Sequence, residues 1–307
     1  MTILAEQRTY VAGRWITGDD VVNVENPADE SHVADITATP LGEVHLAIAE
    51  ARRSFDDGVW ADTPPRERAR VLHAFIDHVE GARDALVPTL VAEAGQPTRF
   101  AEMTQLLAGG AIARQTIDLY LSMSHEEASP VPVDDRVRGR VALSVRRHEP
   151  VGVVAAITPY NAALIMGLQK LIPALMAGNS VILRPSPLTP ISSLVFGAAA
   201  DAAGLPPGVL SVVVESGTAA GELLTSHPAV DLVSFTGSTL AGRKILAHRR
   251  RPSNGCRSNS AASQRRSTCP TPWGARPAAP PSSSRARPAR RAWPLPECLY
   301  RKTAKKR

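Results

Sequence analysis

Four short polar segments in the second half of the chain carry the residue types that recognise a charged ligand. Each follows an apolar run, and they are 158–161 (TPYN), 184–186 (RPS), 215–217 (ESG) and 236–238 (TGS). In open α/β sheets, ligands bind in the crevice outside the carboxyl ends of the strands. Hydroxyls, glycine backbone and one positive charge at such an edge favour binding of a phosphorylated ligand.

Gly237 and Ser238 begin the helix that follows the fourth apolar run. The free N–H groups and the dipole at a helix N-terminus suit a pyrophosphate, and the Ser238 hydroxyl is a further donor. The alternative is that Ser238 is an ordinary helix N-cap. The G-x-G-x-x-G fingerprint is absent after the first run, so a dinucleotide site is not inferred from that motif.

The elements that position these segments alternate regularly from residue 151 onward. Apolar runs of strand length occupy 151–159, 179–186, 209–215 and 231–237, and helical patterns occupy 163–178, 192–204, 218–227 and 238–248. Strands that are apolar on both faces are typical of a parallel sheet covered by helices on both sides. Right-handed crossovers then predict a Rossmann-like α/β fold.

Before residue 151, alternating polar and apolar residues predict short antiparallel strands in the first forty residues. Apolar residues at helical spacing then predict helices. Residues 131–148 read as a polar β-hairpin with a turn near Arg138 and Gly139. This hairpin is either an arm that pairs with another subunit or a solvated surface hairpin.

Residues 249–307 differ in composition from the rest. They hold 13 Arg, 3 Lys and one acid, whereas residues 1–248 hold 19 bases and 28 acids. The tail is rich in Arg, Pro, Ser and Ala without a hydrophobic period, so we expect it to be disordered. All three cysteines, Cys256, Cys269 and Cys298, lie there, and their spacing matches neither a zinc site nor a disulfide framework. We therefore predict no metal site.

The sequence contains no run of about 18 apolar residues, so it predicts no transmembrane helix. The first residues, MTILAEQRTYVAGRW, lack the basic and apolar regions of a secretory signal. The expected location is the cytoplasm.

Four longer motifs resemble the successive cofactor-domain signatures of the aldehyde dehydrogenase superfamily. In order along the chain, they are VGVVAAITPYNAAL, KLIPALMAGNSVILRPSPLTP, AGLPPGVLSVV and HPAVDLVSFTGSTLAGRKI. The resemblance covers roughly residues 10–248. It implies oxidation of a small-molecule aldehyde to a carboxylic acid with NAD, or NADP, as cofactor.

The resemblance assigns Asn161 the role of the asparagine whose amide donates to the oxyanion of the thiohemiacetal. An Asn just past a strand end is otherwise typical of a helix N-cap. Residues expected to bind the cofactor are Ile157, Thr158, Pro159, Arg184, Ser186, Gly217, Gly221, Phe235, Gly237 and Ser238. For Phe235 the alternative is a place in the core.

Arg184 stands where the resemblance places a lysine that binds the adenosine ribose, and its alternative is a solvated surface charge. Pro187 stands where many NAD-preferring members carry Glu against the ribose hydroxyls. An arginine without that carboxylate tolerates a 2′-phosphate better, so the preference for NAD over NADP is weak.

The resemblance ends near residue 249, where the family continues into Glu-Leu-Gly-Gly-Lys with its general base and, later, the nucleophilic cysteine. Neither motif is present. One choice of codons for residues 252–263 reads in another frame as Leu-Lys-Arg-Val-Pro-Leu-Glu-Leu-Gly-Gly-Lys. We therefore expect a frameshift near 249 and a chain that is inactive as written.

The resulting division is 1–130 as the N-terminal part of a cofactor-binding domain, 131–148 as an oligomerisation-type hairpin, 149–248 as the NAD(P)-binding core and 249–307 as the out-of-frame tail. The competing hypothesis is a nucleotide-binding domain with a basic tail that binds nucleic acid through counterion release. The tail has few aromatic residues and no repeats, so we do not expect nucleic acid as a partner.

Overall fold

The computed structural model describes residues 7–128, 134–135, 140–141, 145–248, 255–260 and 300–303. The strands are β1 (Thr9–Val11), β2 (Arg14–Ile16), β3 (Val21–Glu25), β4 (His32–Thr37), β5 (Glu126–Ala128), β6 (Asp134–Asp135), β7 (Arg140–Val141), β8 (Val145–Pro150), β9 (Val153–Ile157), β10 (Ser180–Arg184), β11 (Leu210–Val212), β12 (Leu232–Gly237), β13 (Gly255–Ser260) and β14 (Tyr300–Thr303).

The α-helices are α1 (Leu41–Asp56), α2 (Pro65–Gly81), α3 (Arg83–Ala94), α4 (Thr98–Phe100), α5 (Ala108–Ser122), α6 (Ala163–Met176), α7 (Val195–Ala203), α8 (Ala219–Ser226) and α9 (Thr239–His248). A π-helical segment, Ala101–Leu107, joins α4 to α5, and a 3₁₀ turn, Ile191–Leu194, leads into α7. None of the described helices has the length and apolar character needed to cross a membrane.

The predicted parallel sheet is confirmed. Strands β12, β9, β10 and β11 are parallel neighbours in that order. The sheet continues with β13 beside β12 and with antiparallel β1 and β2 beside β11, so seven of the described strands belong to it. The N-terminal region and the α/β region therefore share one sheet.

Helices cover both faces of the sheet, because the central strand is apolar on both sides. Every residue of β9 is buried. Val154 and Ala156 pack into the cluster that includes residues of α2, α3, α5, α6 and α7. Val153, Ala155 and Ile157 pack into a second cluster with residues of α1 and α8. This alternation follows from the two-residue period of a strand.

The strand order places a topological switch point between β9 and β12. From β9 the chain proceeds through β10 and β11 on one side, and it then returns to the other side of β9 to form β12. The loops that follow β9 and β12 therefore run in opposite directions along the sheet. They leave a crevice between them at the carboxyl edge, which is where ligands bind in open α/β sheets.

The start of β9 is fixed by one side chain from each neighbouring strand region. Asn179 Oδ1 accepts hydrogen bonds from the N–H groups of Val151 and Gly152, at 2.7 and 3.0 Å. Asp231 Oδ2 accepts from Val153 N–H at 2.9 Å and from the Arg52 guanidinium at 2.8 Å. These bonds tie the amino ends of three parallel strands together.

The hairpin region contains an antiparallel pair of strands and borders a separate sheet. Asp134 and Asp135 of β6 pair with Val141 and Arg140 of β7. The described part of 131–148 thus contains the antiparallel pair that a hairpin predicts, and β8 pairs with β5 and β14 in a separate sheet. Of that hairpin, 131–133, 136–139 and 142–144 lie outside the described residues.

The expectation of a tail without regular structure needs correction at two segments. β13 lies parallel to β12, and β14 lies antiparallel to β8. The physical reason is that ladder hydrogen bonds use backbone groups, so an open strand edge accepts an extended segment whatever its side chains. The prediction for 249–254, 261–299 and 304–307 lies outside the described residues.

Gly152 is a position where only glycine fits. Its φ is +126°, and a Cβ atom there would lie 1.9 Å from Asp231 Oδ2. We expect Gly152→Ala to lower the free energy of unfolding by about 3 kcal/mol or more, because it adds backbone strain and displaces the carboxylate that holds β9. Urea unfolding followed by circular dichroism measures the change.

The matched control is Gly42→Ala, since Gly42 lies in α1 and a Cβ atom there meets nothing within 4 Å. This variant should be as stable as the parent or more stable by up to about 1 kcal/mol. Equal stability of the two variants would show that the start of β9 does not depend on Gly152.

Candidate functional site

The sheet register brings three predicted site residues into one row. Ile157 pairs with Arg184 on one side and with Phe235 on the other. The polar segments that follow β9, β10 and β12 therefore start at the same level along the sheet. The sequence predicts the cofactor site at this carboxyl edge.

Thr158, which follows β9 directly, is buried, and its backbone N–H donates to the Arg184 carbonyl at 3.2 Å. Its hydroxyl Oγ1 is also buried and has no hydrogen-bond partner among the described residues. A buried hydroxyl without a partner is unusual in a folded protein. Pro159 comes next and is half-buried.

Asn161 lies in the loop between β9 and α6 with its side chain exposed. The alternative prediction that it caps α6 is wrong, because the N-cap residue is Ala162 and the helix has no side-chain cap. Among the described residues, no partner binds the Asn161 side-chain amide. The amide is therefore available to a ligand in the crevice.

Side chains from other parts of the fold bind two consecutive backbone carbonyls of this loop. The Thr189 hydroxyl donates to the Tyr160 carbonyl at 3.1 Å, and Gln96 Nε2 donates to the Asn161 carbonyl at 2.9 Å. Neither Thr189 nor Gln96 is recognisable as part of the site from the sequence. A fixed backbone with an available side chain is the arrangement that a preorganised donor needs.

Arg184 forms a nearly buried ion pair with Glu215. Its Nε lies 2.7 Å from Glu215 Oε1, and the side chains are 14% and 7% exposed. The alternative of a solvated surface charge is therefore wrong. A second guanidinium nitrogen donates to the Gly217 carbonyl at 3.3 Å, which leaves other N–H groups of the guanidinium for a ligand.

Glu215 also caps α8. Its two oxygens accept the N–H groups of Ala220 and Gly221 at 2.7 and 3.0 Å. The first turn of α8 is thus already satisfied by a carboxylate of the protein itself. The sequence placed Glu215 on the edge but gave no reason to pair it with Arg184.

The two glycines near α8 differ in what surrounds them. A Cβ atom on Gly221 would lie 3.1 Å from Glu215 Oε1, so its lack of a side chain makes room for the ion pair. A Cβ atom on Gly217 meets nothing within 4 Å, so this residue faces open space. Ser186 is buried, and its Oγ accepts the Leu188 N–H at 3.3 Å in the turn after β10.

The end of β12 combines a buried ring with an exposed helix start. Phe235 is 6% exposed, and a Cβ atom on Gly237 would lie 2.5 Å from its Cζ. Phe235 is thus part of the core beneath Gly237. Ser238 Oγ accepts the Ala241 N–H at 3.2 Å and caps α9. Its hydroxyl hydrogen and the N–H groups at the start of α9 remain suited to an anion.

Lys170 is a half-buried cation that nothing in the sequence singles out. It is a lysine in an otherwise largely apolar stretch of α6, and its Nζ donates to Ser234 Oγ of β12 at 3.0 Å. Burial lowers the pKa of the Lys170 amine to about 8. Because it faces the sheet beside the switch point, it adds positive charge near the crevice.

These features define an α/β fold of the nucleotide-binding class. The edge has an available amide donor at Asn161, an arginine at Arg184, open space at Gly217 and an anion-suited helix start at Ser238. The opposite, amino edge is closed by the bonds to Asn179 and Asp231.

The comparisons with known proteins agree with this class. The sequence profile of the Aldehyde dehydrogenase family matches residues 15–256. The chain is 34% identical over 248 residues to phenylacetaldehyde dehydrogenase of Pseudomonas fluorescens, which covers 76% of this chain and 47% of that protein. The chain spans about half the length of the curated relatives it matches.

Solved structures show the same likeness. The aldehyde dehydrogenase C of Pseudomonas syringae, in complex with NAD+ and octanal, has a TM-score of 0.75 at 29% identity over 83% of this chain and 50% of that chain. An NADP-dependent enzyme of E. coli has a TM-score of 0.77 at 28% identity over 84% of this chain and 52% of that chain.

The chain belongs to the aldehyde dehydrogenase family. That family uses NAD or NADP, as the sequence predicts. The competing hypothesis of a nucleic-acid-binding protein receives no support from these comparisons.

The Arg184–Glu215 pair makes a prediction for stability. We expect Glu215→Gln to lower the free energy of unfolding by about 3 kcal/mol, because it leaves a nearly buried guanidinium without its counter-charge and weakens the α8 cap. Adding Arg184→Met to this variant should restore part of the loss, since no charge is then left unpaired. Thermal and urea unfolding measure the set.

Glu222→Gln is the control, because Glu222 is an exposed carboxylate in α8, the helix whose first turn Glu215 binds. It should change stability by less than about 0.5 kcal/mol. A double variant that is less stable than Glu215→Gln would contradict the ion-pair explanation.

Proposed function

We propose that this chain carries the NAD(P)-binding half of an aldehyde-oxidising enzyme and that Asn161 is its oxyanion donor. The observation that carries the proposal is the Asn161 loop. Its backbone is held at the switch point by Thr189 and Gln96, while its side-chain amide is exposed and available. The substrate class is a small-molecule aldehyde.

Asn161 would act on the oxygen of the aldehyde. When a nucleophile adds to the carbonyl carbon, that oxygen gains negative charge, and a fixed N–H donor stabilises the charge more than it stabilises the neutral carbonyl. NAD(P)+, when bound, supplies the acceptor for the hydride that leaves the former aldehyde carbon. The residues of this chain bind and orient the reactants around that step.

The carboxyl edge fits a dinucleotide. The start of α9, with Gly237 and Ser238, suits the pyrophosphate, and Arg184 with the open space at Gly217 suits the adenosine ribose. Ile157, Thr158, Pro159, Ser186, Gly221 and Phe235 form the floor and turns of the same edge. Pro187 offers no carboxylate against a 2′-phosphate, so we propose NAD as the cofactor with NADP also accepted.

The reaction also needs a nucleophile and a base, and residues 1–248 contain no cysteine. We propose that a frameshift near residue 249 has replaced the segment with the catalytic Glu and Cys. The alternative frame would put Arg-Val-Pro-Leu-Glu-Leu across 255–260, where β13 pairs with β12, and the family's Glu would then follow β12 in the same sheet. As written, the chain should bind the cofactor without oxidising aldehydes.

We also propose that the hairpin region, residues 131–148, is an arm for homo-oligomer formation. β5 and the first half of the flanking strand β8 are exposed, and β8 carries Arg146 and Arg147 opposite Glu127 and Glu126. A polar sheet of this kind contributes little to the core of its own subunit.

The cofactor proposal predicts weak binding at the edge that contains Ser238. Isothermal titration of the chain with NAD+ and NADP+ should give dissociation constants within about tenfold of each other, because Pro187 supplies no carboxylate against the 2′-phosphate and the Glu215 carboxylate is already paired with Arg184. Ser238→Ala should weaken both by several-fold through loss of a hydroxyl donor and of the α9 cap.

Ser226→Ala is the matched control, since Ser226 is exposed at the carboxyl end of α8 and its hydroxyl bonds only to carbonyls of its own helix. It should bind as the parent does. Equal affinity of the Ser238→Ala variant and the parent would remove Ser238 from the site.

The frameshift proposal predicts that the purified chain forms no NAD(P)H from aliphatic or aromatic aldehydes, whereas the product of a frame-restored gene does. Catalysis needs a thiolate that is held in a fixed geometry beside the cofactor. We propose that none of the three tail cysteines is held in this way. Absorbance of NAD(P)H over an aldehyde panel measures the difference.

In the frame-restored protein, Asn161→Ala should lower kcat by about 100-fold or more, because one oxyanion donor contributes that much. Turnover by the original chain that survives Cys→Ser replacement at all three cysteines would contradict this assignment of the chemistry.

A further inference from the structure

Two glutamines form a directional chain of hydrogen bonds beneath the Asn161 loop. Gln105 Oε1 accepts the backbone N–H of Leu164, in the first turn of α6, at 3.1 Å. Gln105 Nε2 donates to Gln96 Oε1, and Gln96 Nε2 donates to the Asn161 carbonyl at 2.9 Å. This chain of hydrogen bonds thus holds both the loop at Asn161 and the start of α6, three residues later.

The direction of this chain is fixed by its ends. Leu164 presents an N–H and Asn161 presents a carbonyl, so each glutamine has only one amide orientation that satisfies both of its neighbours. If either amide were reversed, two donors or two acceptors would face each other. The network therefore transmits a definite position from the buried end to the loop.

The buried end is rigidly placed. Gln105 is 0% exposed and lies in the π-helical segment Ala101–Leu107. The adjoining α5 packs closely on α6, since a Cβ atom on Gly109 would lie 3.3 Å from Leu168 Cδ1 and 3.6 Å from Ile165 Cα. A π-helical turn is uncommon and occurs often at functional sites.

We propose that Gln105, acting through Gln96, is a positioning residue that sets where Asn161 presents its side-chain amide. This inference deepens the proposed function, because it matters for catalysis only if Asn161 is the oxyanion donor. Gln105 does not touch the reactants. It replaces the missing N-cap of α6 from a neighbouring helix and fixes the preceding loop through the same side chain.

The test uses the full chain labelled with ¹⁵N and two signals in its NMR spectra. The first is the hydrogen exchange of the Leu164 backbone amide. The second is the pair of Asn161 side-chain NH₂ signals, assigned by their loss in Asn161→Asp. The variants are Gln105→Ala, Gln105→Glu and Gln96→Ala. Gln115→Ala is the control, because Gln115 is exposed on α5.

Gln105→Ala should speed exchange at Leu164 by on the order of tenfold or more, since this N–H loses its acceptor. Gln105→Glu should keep Leu164 protected, because a carboxylate accepts that hydrogen bond. The same carboxylate cannot donate to Gln96, so the Asn161 signals should move as they do in Gln96→Ala. Gln115→Ala should change neither signal.

A merely structural role predicts a different pattern, in which exchange rises throughout α6 and β10 while the Asn161 signals stay in place. Unchanged Asn161 signals in both Gln96→Ala and Gln105→Glu would overturn the proposal. If Gln105→Glu does not fold, Gln96→Ala decides alone, since Gln96 is only half-buried. The readout does not involve turnover, so a catalytically unimportant Asn161 would refute the proposed function and leave the positioning role intact.

Discussion

The rest of the structure depends on how β9 is held at its amino end. Asn179 and Asp231 come from the regions that begin β10 and β12, and together they bind the N–H groups of Val151, Gly152 and Val153. Because parallel strands have fixed register, alignment at the amino ends sets the level of all three carboxyl ends. Ile157, Arg184 and Phe235 are consequently neighbours at the edge where the ligand-binding features collect.

The carboxyl edge combines groups that the fold already uses with groups that remain available. Glu215 neutralises Arg184 and caps α8, so neither that carboxylate nor the first turn of α8 can serve an anion. The start of α9 and the Asn161 amide are not used in this way. A buried carboxylate on the other side of the sheet serves the fold as well: Glu93 accepts the N–H groups of Ile191 and Ser192, and burial raises its pKa to about 7.

Sequence alone predicts the elements well where burial determines them. A strand such as β9, apolar on both faces, has few alternatives to the centre of a parallel sheet. Sequence does not predict the polar contacts that join distant parts of the chain. Gln96 and Gln105 lie far before Asn161, and glutamine is usually a solvent-facing residue. The chain of amide hydrogen bonds therefore becomes visible only in three dimensions. The pairing of Gly255–Ser260 with β12 is equally unpredictable, because backbone hydrogen bonds carry it.

The central claim is that the switch point between β9 and β12 is the cofactor-binding edge of this chain. Addition of NAD+ to the ¹⁵N-labelled protein tests it most directly, because each backbone amide reports its own surroundings. The shifted signals should belong to the residues after β9, β10 and β12, with the largest changes near Asn161 and in the first turn of α9. Shifts confined to the amino edge around Gly152, or to the hairpin region, would contradict it.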